Sequence, residues 1–104
     1  MAITKKYIKK KKKYSVTFTI PKKISKEFKT ASVVGDFNRW DPHANEMKRD
    51  KKTGEFKIKI ELPEHHEYKF RYLLDGEQWI NDNEADRYIT THFGDAEDCV
   101  IILK

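Results

Sequence analysis

Three times in this chain an apolar side chain occupies every second position. Tyr14, Val16, Phe18 and Ile20 alternate with Ser15, Thr17 and Thr19. Phe56, Ile58, Ile60 and Leu62 alternate with Lys57, Lys59 and Glu61, and Tyr68, Phe70, Tyr72 and Leu74 with Lys69, Arg71 and Leu73. A period of two gives an extended strand one apolar face, whereas a helix would scatter the same residues around its circumference. Pro21, Thr53-Gly54, Pro63 and Asp75-Gly76 punctuate these runs. Shorter apolar runs near 30–34 and 99–103 read as further strands, and a short piece through Trp79 and Ile80 continues the third alternation. No segment repeats at 3.6 residues. Half-buried strands separated by turns predict an all-β antiparallel sandwich. At 104 residues there is room for one two-layer domain and too little chain for a barrel enzyme.

The net charge of +5 is unevenly spread. Residues 1–13 carry seven lysines and no acid. Without those seven, 15 basic residues face 17 acids, so residues 14–104 stand at −2. Like charges without an apolar period predict a disordered basic arm over 1–13, joined to a folded domain over 14–104. Such an arm offers non-specific attraction to anionic partners, nucleic acid among them, and the binding would belong to the arm. The lone Cys99 has no internal partner, and no apolar stretch approaches a membrane span. A cytoplasmic protein without a membrane contact is expected.

Two tryptophans fall outside the apolar runs. Trp40 follows the turn Gly35-Asp36-Phe37-Asn38-Arg39, and Trp79 lies just beyond Asp75-Gly76. Each indole has two readings: a plug at one end of the sandwich with its N–H on a loop carbonyl, or a platform for flat ligands. Sugar rings suit the second reading, because their C–H faces match the electron-rich face of indole. Lys69 sits on the outward phase of its strand and can donate to hydroxyls, with Arg71 on the same face.

The run over 33–41, followed by Leu62-Pro63, Tyr68-Lys69-Phe70, Asp75-Gly76, Trp79, Asp82 and Phe93-Gly94, resembles carbohydrate-binding module family 48. That family includes the N-terminal early-set domain of isoamylases and the glycogen-binding domain of the AMP-activated kinase beta subunit. The resemblance runs from about residue 15 to residue 103. It implies an immunoglobulin-like (early-set) β-sandwich that binds α-1,4-linked glucans such as glycogen or starch. Trp40 and Trp79 would stack on glucose and Lys69 would contact sugar. Phe93, before Gly94, takes the place of a loop residue threaded through the glucan. Asp98 stands where the family commonly has an asparagine ligand, and it offers an acceptor but no amide donor.

Catalysis fits poorly. A glycosidase needs two carboxylates across the scissile bond, and Asp36, Asp41, Asp82 and Asp86 all sit in turns that use aspartate for backbone hydrogen bonds. The four histidines show no ligand spacing, so neither a metal nor a cofactor is expected. The expected activity is non-catalytic α-glucan binding. Two alternatives stay open: an adaptor that docks a separate glycan-metabolising enzyme, and nucleic-acid binding driven by the arm.

Overall fold

The computed structural model describes residues 2–90 and 97–104. The alternating runs become β2 (Lys13–Ile20), β5 (Phe56–Pro63) and β6 (His66–Leu74). Around them lie β1 (Ala2–Ile8), β3 (Ala31–Gly35), β4 (Lys48–Arg49), β7 (Gln78–Ile80), β8 (Arg87–Thr90) and β9 (Glu97–Leu103). One turn of helix, α1 (Lys22–Ser25), follows Pro21. Sheet A has the order β1-β2-β5-β4. Sheet B has the order β3-β6-β9-β8, with β7 also paired to β6. Every pairing is antiparallel. The result is the expected immunoglobulin-like early-set sandwich.

Between the sheets, Val16, Phe18, Ile20, Phe56 and Leu62 meet Val33, Phe70, Tyr72, Leu74, Ile101 and Leu103, all buried. Phe18 is the hub, with its ring centroid 5.2 Å from Phe70 and 6.3 Å from Tyr72. Removing a fully buried phenylalanine of this kind costs about 3–5 kcal/mol. The free edge of β3 is covered by the segment after Trp40: Val33 N–H donates to the Asn45 carbonyl at 3.1 Å, and Met47 N–H to the Ala31 carbonyl at 2.7 Å.

Residues 2–8 correct the expectation of a disordered arm. They form β1, paired with β2 from Ala2 opposite Thr19 to Ile8 opposite Lys13, with residues 9–12 as the turn. An edge strand can take its hydrogen bonds from a neighbour's main chain without an apolar alternation of its own. The register also puts Ile3 and Tyr7 on the core-facing phase. Lys5 shares that phase, opposite Val16. Its ammonium reaches sheet B, where it pairs with Asp86 and donates to the Ile102 carbonyl at 3.1 Å. The outward phase of β1 carries Thr4, Lys6 and Ile8. Lysines along an exposed edge also discourage pairing with another chain.

Candidate functional site

The turn after β3 assigns each of its residues a separate task. Gly35 lies so close to β6 that a Cβ would stand 2.3 Å from the Lys69 carbonyl oxygen and 2.7 Å from the Phe70 Cβ. Only glycine allows that approach. Phe37 packs inward, 6.0 Å from both Phe18 and Tyr68. Asn38 ties the turn to β3: its Oδ1 accepts the Gly35 N–H at 3.0 Å, and its Nδ2 donates to the Val33 carbonyl at 3.0 Å and to Asn45 Oδ1 at 2.7 Å. Arg39 and Trp40 then both take φ of 58°, a left-handed conformation uncommon for bulky side chains. The Trp40 N–H closes the loop on the Gly35 carbonyl at 2.9 Å.

Asp36 connects this turn to its neighbour strand. One carboxylate oxygen accepts the Trp40 indole N–H and the other accepts the Lys69 backbone N–H, each at 2.9 Å. Trp40 and Lys69 are thus brought together on the two oxygens of one side chain. Because the indole N–H is already engaged, the ring can meet a ligand only through its flat face or its edge carbons.

With Tyr68, Phe70, Tyr72 and Leu74 turned to the core, Lys69, Arg71 and Leu73 face outward from sheet B. Trp79 lies directly opposite Leu73, so it belongs to the same outward face, and it is 42% exposed. At about 3.3 Å per residue, Lys69 and Leu73 are roughly 13 Å apart along the strand. Arg71 stands midway. Its guanidinium carbon lies 5.8 Å from the Trp79 ring centroid, and its Nε donates to Asn81 Oδ1 at 3.2 Å. Its Nη groups make no hydrogen bond or ion pair with another described residue. Neither indole belongs to the buried core cluster. Trp40 is half-buried and finds its acceptor on a carboxylate rather than a loop carbonyl.

A cleft of about 300 Å³ adjoins both tryptophan-bearing segments. It is lined by Pro42 and His43 from beyond Trp40, by Ser32 of β3, and by Leu73 and Gly76 from the hairpin that carries Trp79. Asp98, two residues from Val100, which lies opposite Lys69, also falls on the outward phase and is half-buried. It faces Ile89 across the β8–β9 pair. Phe93 lies outside the described residues.

The remaining polar groups serve the fold. Asp82 is fully buried; it accepts the Tyr72 hydroxyl at 2.7 Å and the Glu84 N–H at 2.7 Å, and its own N–H donates to Cys99 Sγ at 3.1 Å. Burial, reinforced by the Asp82 carboxylate, holds the Tyr72 hydroxyl well above the usual phenol range. Burial likewise pushes the Cys99 thiol up to about 11, which leaves it a packed thiol rather than a nucleophile. No cluster of three potential metal ligands occurs among the described residues.

Sequence reasoning placed Trp40, Lys69 and Trp79 on exposed turns and an outward phase. It missed the linking role of Asp36, whose only signal is an aspartate directly after a strand-ending glycine. It noted that Arg71 shares the face of Lys69 but not that it packs on Trp79. The family model for carbohydrate-binding module 48 (isoamylase N-terminal domain) matches residues 23–89, more than half of the chain. No curated protein matches it.

Proposed function

The chain belongs to carbohydrate-binding module family 48, and on that footing we propose that it binds α-1,4-linked glucan, without chemistry of its own, on the outward face of sheet B. Trp40 and Trp79 stack on glucose rings and Lys69 donates to their hydroxyls. Arg71 supplies further donors between them, from the Nη atoms that its bond to Asn81 leaves free. The observation that carries this reading is the Asp36 carboxylate, which joins the Trp40 indole to the main chain of Lys69. Left-handed backbone at a tryptophan supports it further, since conformations of this sort gather at ligand clamps.

The energetics suit a weak, reversible hold. One stack that removes on the order of 100 Å² of apolar surface from water contributes about 2.5 kcal/mol. Two stacks and a few hydrogen bonds must still overcome an association cost of at least about 4 kcal/mol. Micromolar to millimolar dissociation constants follow. Asp98 keeps a place at the rim as an acceptor for a sugar hydroxyl.

Titration with maltoheptaose tests the proposal through intrinsic tryptophan fluorescence. The expected result is a saturable change, with Trp79→Ala weakening binding by roughly 2 kcal/mol, about thirtyfold in Kd. A folded Trp79→Ala protein that binds as the parent does would refute the stacking role. No response from the parent would leave the protein-docking use of this fold as the better reading.

A further inference from the structure

The outward face of sheet A lies on the other side of the sandwich from the proposed glucan face, and its chemistry is unlike that of sheet B. Val16, Phe18 and Ile20 point to the core, so Lys13, Ser15, Thr17 and Thr19 point out. Pairing sets Thr4 and Lys6 of β1 on one side of them and Lys57, Lys59 and Glu61 of β5 on the other. A central row of hydroxyls is therefore flanked by ammonium groups, and β4 adds Lys48 opposite Lys57. The β1–β2 turn brings further lysines to one end of the face. Glu61 is engaged by Lys11, and Asp50 and Glu55 by Lys57. Lys6, Lys13, Lys48 and Lys59 make no ion pair with a described carboxylate.

We propose that this face binds the phosphate backbone of double-stranded nucleic acid without reading its sequence. Lysine ammonium groups and serine and threonine hydroxyls are the side chains that meet phosphate oxygens, and lysine does so as a point charge without demanding a fixed geometry. The outward positions of sheet A carry no aromatic ring on which unpaired bases could stack, which argues against single strands. They carry no aromatic or free arginine anchor either: the Arg49 guanidinium is spent on the Ser25, Phe28 and Gly54 carbonyls. A protein interface would want such anchors and few lysines. Lys6 and Lys59 stand two strands and two residues apart, about 12 Å at the usual strand spacing and rise, comparable with the ~12 Å width of a duplex major groove. Sequence reasoning assigned this charge to an arm independent of the body. Pairing of β1 lays it on the sheet instead, behind the glucan face.

The test uses the full chain and a labelled short duplex of mixed sequence, read by fluorescence anisotropy. Engagement of about four phosphates predicts a slope of roughly −3.6 for log affinity against log salt, and so a loss on the order of a hundredfold between about 50 and 200 mM salt. Combined Lys6→Gln, Lys13→Gln and Lys59→Gln should flatten that slope by nearly three, with maltoheptaose binding and thermal unfolding unchanged. No duplex binding at about 50 mM salt, salt-independent binding, or a triple variant that binds as the parent does would each overturn the proposal. Competition by polyglutamate or by phosphatidylserine vesicles as effective as that by unlabelled duplex would overturn it too, in favour of an acidic protein or a membrane surface.

Discussion

The two tryptophans are held in opposite ways. Trp40 ends a turn fixed at every residue: Gly35 against β6, Phe37 in the core, Asn38 on the β3 backbone and Asp36 on the indole itself. Trp79 stands on a three-residue strand, and the guanidinium of Arg71 lies against its ring. One ring owes its position to a local network with left-handed backbone. The other owes it to strand register and to a neighbour's side chain. On the proposed glucan face a rigid ring would then stand beside one that adjusts, and the two should fail differently.

The largest expected difference lies in the glycines beside each ring. Gly35→Ala forces a Cβ into the Lys69 and Phe70 backbone and should lower unfolding stability by about 3 kcal/mol or more. A Cβ at Gly76 meets nothing within 4 Å, so Gly76→Ala should cost only the about 1–2 kcal/mol of its φ of 70°. Urea unfolding of both variants checks this, and equal losses would remove the contrast.

A smaller effect sharpens the contrast through pH. The segment after Trp79 is anchored where the Asp82 N–H meets Cys99 Sγ, and burial raises that thiol from 9.0 to about 11. A raised folded value means the protonated thiol is the stabilising form. Its contribution is whole below about pH 9 and is lost as pH climbs toward 11. Unfolding free energy should drop by about 2 kcal/mol from about pH 8 to about pH 10.5 on this account, and Cys99→Ala should remove that share of the slope.

The smallest effect tests the carboxylate link. Asp36→Ala deletes two hydrogen bonds at an exposed site, worth about 1 kcal/mol. In a Trp79→Phe background it should lower the fluorescence anisotropy of Trp40 and weaken maltoheptaose binding a few-fold. An indole as immobile as before would mean that Asn38 and the backbone alone hold the ring.

Much of the architecture was legible because burial on one side writes a period of two. β2, β5 and β6 announce themselves through Val16, Phe18 and Ile20 and their counterparts, and Cys99 to Leu103 through an unbroken apolar run. β1 did not, since Lys5 and Lys6 belong to an edge stabilised by pairing with β2. β4 and β8 are too short for any pattern. At the site, indoles set among turn residues were readable, and so was the outward phase of Lys69. The Asp36 link was not: its partners are four and 33 residues away, and no local sequence rule relates them. Asp82, one of several turn aspartates in the sequence, becomes distinct only once Tyr72 and Cys99 close around it.

The pairing of β1 also changes what shortening this chain would do. A version that started at Tyr14 would strip β2 of its hydrogen-bonding neighbour and leave a bare row of amides and carbonyls beside Val16, Phe18 and Ile20. It would lose as well the Lys5 bridge that closes one side of the two layers. Such a fragment would be prone to zip onto its own copies, edge to edge, so trimming the lysines is not the harmless tidying that their composition suggests.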